Sequence, residues 1–122
     1  MLRIALVIFA LAVPARAEVP VLSYEFPEET LVFPIDLLVG AEANPTLSGE
    51  MGLVATFGSG LSLGPVTARN VGTRPIVRIC GEEVSRPVIL NEISGSIALI
   101  PLDKPSDAPR LAAILNARTC PG

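Results

Sequence analysis

The chain has 122 residues, with 12 acidic side chains, nine basic side chains and no histidine. This length suits one domain with a modest hydrophobic core. Its formal charge of −3 and its scattered basic residues exclude nucleic acid and anionic membrane surfaces as partners, because both attract clusters of lysine and arginine. Four phenylalanines and one tyrosine are too few for the stacking platforms that bind single-stranded nucleic acid.

The first 17 residues have the three parts of a secretory signal peptide. A basic start at Arg3 precedes ten apolar residues at 4–13, and the small residues Ala15 and Ala17 precede the expected cleavage site. A membrane-spanning helix needs roughly 20 apolar residues, so an uncleaved membrane anchor is the weaker alternative. We therefore expect a signal peptide at 1–17 and a periplasmic protein without a stable membrane span.

Two cysteines, Cys80 and Cys120, provide this chain with an even number of thiols. Such a pair favours a disulfide in an exported protein, with free or intermolecular thiols as the alternative. A metal site is a poor rival, because two thiols without any histidine form an incomplete ligand set. The sequence therefore predicts a disulfide, no metal site and no cofactor.

The mature chain begins with a segment whose composition indicates little order. Residues 18–30 hold two prolines and four glutamates, which is typical of a poorly ordered lead-in or an edge segment. Residues 31–40 are apolar and favour β-structure, but Pro34 excludes a central strand position. The run at 51–57 predicts a strand, because it is short, apolar and followed by a Gly/Ser cluster.

A short helix is predicted at 63–72, where Pro65 suits the first turn and Gly72 suits the residue just past the end. An acidic turn at 81–83 follows the next strand, and Pro87 indicates an edge or a bulge in the strand after it. The three strands predicted in this part of the chain lie at 74–80, 84–90 and 96–102. The last two strands and their connection have the pattern of a hairpin.

The closing helix is predicted to have Ser106 as its cap, with Asp107 in the first turn. Pro109 is then third in the helix, where its missing N–H costs no helical hydrogen bond. The apolar side chains recur at helical spacing and form one stripe: Ala108, Leu111, Ala112 and Leu115, with Ile114 beside them. Because such a stripe needs a sheet to lie on, we predict an α+β fold, a small antiparallel sheet with two helices on one face.

One catalytic pattern occurs in the chain. Residues 60–64, with the letters GLSLG, fit the G-x-S-x-G nucleophile elbow of α/β-hydrolases. A serine nucleophile needs a base, and the chain has no histidine. Lys104 lies in a turn that we expect to be exposed, where a lysine is too well solvated to act as a base. Ser62 is therefore interpreted as a helix cap or a turn residue.

Glu82 and Glu83 are adjacent in the turn that precedes the predicted hairpin, and Glu92 lies in the next connection. Paired carboxylates can perform glycosidase or metal chemistry when a cleft holds them apart. Adjacent acids in a turn are more often solvated, and they keep a sheet edge soluble. The sequence therefore predicts no catalytic residue and no enzyme.

From residue 48 to residue 117 the predicted elements follow one another in a characteristic order. A Thr-x-x-Asn-Val-Gly helix end precedes an apolar strand, a turn at Gly81, a strand with the letters VSRPVI, a Gly-containing hairpin and an Ala- and Leu-rich helix. The residues that carry the pattern are Gly49, Glu50, Thr67, Asn70, Val71, Gly72, Val84, Ser85, Pro87, Val88, Ile89, Ala108, Leu111, Ala112, Leu115 and Ala117. This order resembles the head subdomain of the large periplasmic domain of SecD, a subunit of the preprotein translocase.

The resemblance implies a SecD head-like domain at 31–122 and, since the family's head has no catalytic motif, a non-enzymatic protein. SecD also has a transmembrane bundle, which we do not expect here after signal cleavage, so this chain could not draw on a proton gradient. Cys80 replaces the family's acidic residue before the turn glycine, and Gly95 replaces its paired glycines. The resemblance therefore carries over the fold and not the translocase activity.

The partner that the resemblance implies is a protein or an extended polypeptide, including Sec translocase subunits. It would bind at an exposed sheet edge such as the Pro87 strand. The alternative is a periplasmic binding or structural module that reuses the fold for an unrelated protein partner. The implied up-and-down sheet places Cys80 at one end of the sheet and the end of the closing helix at the opposite end. The tail up to Cys120 would therefore have to run back along the sheet to reach Cys80.

Overall fold

The computed structural model describes residues 19–121. The predicted signal peptide at 1–17 lies outside the described residues. The strands are β1 (Leu22–Glu25), β2 (Thr30–Val32), β3 (Leu38–Pro45), β4 (Met51–Phe57), β5 (Ile76–Ile79), β6 (Glu82–Ser85) and β7 (Ile97–Pro101). The helices are α1 (Gly64–Arg69) and α2 (Ala108–Ala117), with 3-10 turns at Ile35–Leu37 and Pro105–Asp107.

The strands form two antiparallel sheets. One has four strands in the order β2-β1-β5-β6, and the other has three strands in the order β3-β4-β7. Helix α2 packs against β3 and β4 of the three-stranded sheet. The predicted α+β class is confirmed, while the strands are divided between two sheets instead of one.

The predicted hairpin between the last two strands is wrong. Strand β6 ends at Ser85, and β7 lies in the other sheet, where β4 is its partner. The chain leaves the first sheet because Pro87 has no N–H for a ladder hydrogen bond. Ile89 pairs instead with the segment after α1: it accepts from the N–H of Gly72 at 2.7 Å and donates to the carbonyl of Thr73 at 2.9 Å.

The prediction of a poorly ordered lead-in or edge segment at 18–30 is also wrong. Four of these residues form β1, which lies inside its sheet between β2 and β5 and begins with a fully buried leucine. Two of the four glutamates that suggested disorder pair with arginines: Glu25 lies 3.1 Å from Arg78, and Glu29 lies 2.8 Å from Arg69. The hydrogen bond from Arg69 lowers the pKa of the Glu29 carboxyl.

Several local predictions are confirmed. The run at 51–57 is β4. Pro65 lies in the first turn of α1, and Gly72 has a φ of +89° just beyond the end of that helix. The stripe predicted for the closing helix is buried on α2, with all four of its members at most 8% exposed. These elements follow from patterns within ten residues, which the tertiary structure does not override.

The start of the closing helix differs from the prediction. Asp107, and not Ser106, precedes the first helical residue. A 3-10 turn forms first, in which the N–H of Asp107 donates to the carbonyl of Lys104 at 2.9 Å. Within residues 19–121 the Asp107 side chain makes no capping hydrogen bond and lies 3.4 Å from the Arg110 guanidinium. The 3-10 turn therefore takes the place of the predicted serine cap.

The turn between β5 and β6 lies at Cys80 and Gly81, which have φ angles of +52° and +85°. Positive φ at both central residues is the requirement of a tight type I′ hairpin turn. Glu82 and Glu83 consequently belong to β6, whereas the sequence placed them in the turn.

Cys80 and Cys120 form a disulfide, with their Cα atoms 5.5 Å apart. The predicted bond is therefore confirmed, and the obstacle implied by an up-and-down single sheet does not exist. Arg118 ends α2 in the left-handed conformation, with φ at +63°, and the chain turns there toward the β5–β6 turn. The bond joins the end of the helix on one sheet to a turn of the other sheet.

Candidate functional site

Ser62 lies in an irregular connection between β4 and α1 and is exposed. Four residues separate it from the end of β4, whereas a nucleophile elbow places its serine directly at a strand-to-helix junction. Leu63 occupies the cap position of α1. Ser62 is accordingly a turn residue, which is one of the two interpretations that the sequence allowed.

The acidic residues near the β5–β6 turn are occupied by ion pairs. Glu82 lies 3.1 Å from Arg110, and Glu83 lies 2.6 Å from Arg86. The hydrogen bond from Arg86 lowers the pKa of the Glu83 carboxyl, so this group stays ionised and paired at neutral pH. Across residues 19–121 no group of three or more His, Cys, Asp or Glu side chains is arranged to hold a metal ion.

Strand β7 is an edge of the three-stranded sheet, and its register shows which backbone groups face outward. The N–H of Phe57 donates to the carbonyl of Ser96 at 2.9 Å, and the pairing of β4 with β7 continues from there without a bulge. Hydrogen-bonded pairs alternate with non-hydrogen-bonded pairs along such a ladder. The backbone groups of Ala98 and Ile100 therefore point toward β4.

By the same alternation the backbone N–H and C=O groups of Ile97 and Leu99 point away from the sheet. Pro101 occupies the next outward position, where its missing N–H breaks no bond to β4. In the described part of the chain no further strand pairs with this side of β7. β7 therefore presents a row of backbone groups that are available to another strand.

The side chains of β7 are apolar on both faces of the sheet. Ala98 and Ile100 are at most 2% exposed on the inner face, whereas Ile97 is 48% exposed and Leu99 is 68% exposed on the outer face. Val54 of β4 is directly opposite Leu99 and continues the apolar surface. An exposed apolar edge of this kind is a hazard for aggregation unless it has a partner.

A cavity of about 470 Å³ lies beside the outer face. The tip of the β3–β4 hairpin forms one wall, and Val54, Leu99 and Pro101 contribute to the other wall. The tip is held by hydrogen bonds between Thr46 and the chain that follows it, including 2.8 Å from the Thr46 N–H to the Glu50 carbonyl. The cavity and the open strand edge together form what we call the β7 site: Ile97, Leu99, Pro101, Val54 and the hairpin tip at 46–50.

Gly52 permits the close approach that shapes this site. A Cβ atom there would lie 2.5 Å from the Thr46 Cγ2 atom and 2.6 Å from the carbonyl oxygen of Ile100. The second contact involves the backbone of β7, which cannot yield without a shift of the strand. We expect Gly52→Ala to lower the free energy of unfolding by about 1–3 kcal/mol, measured by urea denaturation.

Gly58→Ala is the matched control for that substitution. Its Cβ atom would lie 3.5 Å from the carbonyl oxygen of Leu37, an ordinary van der Waals distance. We expect a change within about 0.5 kcal/mol. Equal stabilities of the two alanine variants would contradict the close approach at Gly52.

The other edge that the sequence proposed is not a strand edge over most of its length. Residues 86–90, which include Pro87, lie outside any strand. The carbonyl of Val84, in β6, accepts the N–H of Asp103 at 2.9 Å, so that edge is partly occupied. The signal that identifies β7 instead is its letters IALIP, apolar at successive positions where a one-sided edge strand would alternate with polar residues.

No family model matches the sequence, and no curated protein matches it. Two solved structures are similar in fold. SecDF, a membrane component that enhances protein export, has a TM-score of 0.57 and 26% identity, covering 78% of this chain and 46% of that chain. SecDF in its super-membrane-facing form has a TM-score of 0.58 and 26% identity, covering 76% of this chain and 12% of that chain.

The chain has a SecD-like fold. The resemblance that the sequence suggested is thus confirmed at the level of the fold. This SecD-like chain spans less than half the length of either SecDF chain. Between residues 19 and 121 no helix has the length and hydrophobicity needed to cross a bilayer.

Proposed function

We propose that this SecD-like domain is the equivalent of the SecD head and serves as a non-enzymatic accessory to protein export. It acts in the periplasm and binds extended polypeptide, either a translocating chain or a segment of the Sec machinery. The observation that carries the proposal is the open apolar edge of β7. The similarity to SecDF, which enhances protein export, supports the biological setting.

An extended polypeptide is the occupant that the chemistry of this edge favours. The outward N–H and C=O groups of Ile97 and Leu99 need partners spaced as in a strand, and β-augmentation supplies them. Backbone pairing does not depend on the sequence of the added chain. Such binding suits an accessory that meets many different exported proteins.

The side chains of the site add a preference to this backbone pairing. Alternate side chains of an added strand lie on one face of the sheet. On the outer face they would adjoin Ile97, Leu99 and the cavity beneath the hairpin tip. We therefore propose that the site prefers segments with apolar residues at alternate positions, as in unfolded chains before they bury their cores.

The proposed location agrees with the covalent structure. The Cys80–Cys120 disulfide persists in oxidising compartments such as the periplasm and is rare in the cytosol. The signal peptide proposed at 1–17 would deliver the chain there.

Leu99→Pro should weaken polypeptide binding about tenfold, which corresponds to the loss of roughly one backbone hydrogen bond and its neighbouring pairing. Proline removes the outward N–H of Leu99 without removing a bond to β4, because that N–H points away from the sheet. Binding is measured by fluorescence anisotropy with a labelled, reduced and carboxymethylated polypeptide that cannot fold.

Leu99→Ala is the control, because it keeps the N–H and shortens the side chain. We expect it to weaken binding less than the proline variant. Circular dichroism and thermal unfolding verify that both variants are folded. Unchanged binding by a folded proline variant would contradict the assignment of β7 as the binding edge.

Photo-crosslinking in living cells tests the biological partner. Photoreactive amino acids at positions 97 and 99 report on the β7 site, and position 90, an exposed leucine outside the site, is the control. Capture of translocase subunits or of many exported chains from 97 and 99 supports the export role. A single unrelated partner, or adducts between copies of this chain, contradicts it and favours a module that reuses the fold.

A further inference from the structure

Strand β3 is the opposite edge of the same sheet, and it is the longer edge, with eight residues against five in β7. By length it is the better place for an added strand. The backbone groups of successive β4 residues point alternately toward β7 and toward β3. A β4 residue whose backbone bonds to β7 therefore cannot bond to β3, and its partner on β3 has its backbone groups facing outward. Ala41 and Ala43 are paired with such residues, so their N–H and C=O groups point away from the sheet.

The side chain of Asn116 occupies this outward position at Ala41. Its Oδ1 atom accepts from the N–H of Ala41 at 2.9 Å, and its Nδ2 atom donates to the carbonyl of Ala41 at 2.8 Å. A strand added to β3 would make this same pair of bonds with Ala41, donor to carbonyl and acceptor to N–H. The carboxamide has the chemistry of a peptide group and satisfies both.

A second contact from the same segment lies three residues earlier on β3. The Nη2 atom of Arg118 donates to the carbonyl of Leu38 at 2.6 Å. Arg118 ends α2, and two residues later Cys120 is covalently bound to Cys80. The segment that covers β3 is therefore tethered at both ends, by the helix and by the disulfide.

We infer that Asn116 closes the β3 edge at Ala41 by imitating an added strand, and thereby directs polypeptide to β7 as the more open edge of this sheet. Asparagine fits the role because its carboxamide holds an N–H donor and a carbonyl acceptor side by side. Aspartate would keep the acceptor for the Ala41 N–H but would lack the donor for the Ala41 carbonyl. The closure rests on its own geometry, and its consequence for β7 rests on the proposed function.

A synthetic peptide that copies residues 50–58 is the probe for both edges. In the fold β4 pairs antiparallel with β3 and with β7, so a copy of β4 has a side-chain pattern that suits a neighbour of either strand. Native mass spectrometry counts the peptides bound to each disulfide-intact chain. We expect wild type to bind one peptide and Asn116→Ala to bind a second one at β3, with Asn116→Asp intermediate in affinity for the second peptide.

Asn91→Ala is the matched control, because Asn91 is an exposed loop asparagine for which the structure shows no hydrogen bond between residues 19 and 121. It should bind as wild type does. In the double variant Asn116→Ala/Leu99→Pro, the remaining peptide should bind at β3, located by a nitroxide label on the peptide.

The outcomes separate the two ideas. If Asn116→Ala is folded and binds no more peptide than wild type, the closure of β3 by Asn116 is overturned. If wild type binds none and Asn116→Ala binds one, the closure stands and the proposed function of β7 fails. Hydrogen exchange measures the protection of the Ala41 amide. Loss of this protection in Asn116→Ala confirms that the variant has uncovered this edge.

Discussion

Replacement of both Cys80 and Cys120 by serine is expected to lower the free energy of unfolding by about 4 kcal/mol. The two cysteines are 40 positions apart, and the loop that their bond closes restricts the unfolded chain by roughly this amount in the chain-entropy model. Both side chains are half-buried, so serine neither leaves a core cavity nor buries an unpaired hydroxyl. Urea denaturation with linear extrapolation measures the loss.

Because of its position, the bond also holds the C-terminal tail in place, in addition to restricting the unfolded chain. Cys80 lies in a turn of the four-stranded sheet, and Cys120 follows the helix that packs on the three-stranded sheet. Without the bond, the tail after Arg118 is released from the first sheet. We therefore expect the contacts of Asn116 and Arg118 with β3 to open more often in the double variant. The amide hydrogen of Ala41, which Asn116 accepts, should then exchange faster with solvent.

A reducing agent provides the control for this prediction. Wild type in excess dithiothreitol should approach the stability of the serine variant, and the serine variant should not respond to the reagent. A difference below about 1 kcal/mol would mean that the unfolded chain already holds the two positions close together. In that case the loop-entropy account of this bond would be wrong.

Leu115→Ala should cost about 2–5 kcal/mol of unfolding free energy. Leu115 is fully buried on α2, the helix that packs against β3 and β4. Ala55 and Ala98 are small, buried side chains on the inner face of the same sheet. Truncation of the leucine leaves a cavity that rigid backbone on the sheet side cannot fill, and so the cost exceeds the transfer free energy alone.

Leu90→Ala is the matched control, since the same atoms are removed from a leucine that is 72% exposed. Its expected effect lies within about 0.5 kcal/mol. Thermal unfolding compares the two variants directly. Similar losses in both would show that Leu115 is not part of the packed core.

The location of single elements was largely predictable. The strand at 51–57, the first helix with Pro65 and Gly72, and the stripe on the closing helix follow from local spacing and from glycine and proline chemistry. The prediction of β1 failed for a different reason. Glu25 of β1 and Glu29 just after it find arginine partners 53 and 40 positions away, at Arg78 and Arg69, and a composition count cannot include such partners.

The type of candidate site was predictable from the sequence, but its location was not. The sequence predicted an exposed strand edge and chose the Pro87 strand, because proline marks edges. In the structure that segment pairs with Gly72 and Thr73, and β7 becomes the open edge of another sheet. The apolar letters on both faces of β7 were visible in the sequence, but their meaning depends on which strand lies beside them.

The amino-acid sequence by itself determined the class of the fold, the resemblance to SecD and most element positions, because these depend on contacts between near neighbours in the chain. The tertiary structure decided the division into two sheets, the route by which Cys120 reaches Cys80, and the two different edges of the three-stranded sheet. Those features depend on pairing between residues far apart in the chain, such as Ala41 with Asn116, 75 positions later. Strand order is a choice among many partners of similar local propensity, and packing of the whole chain selects among them.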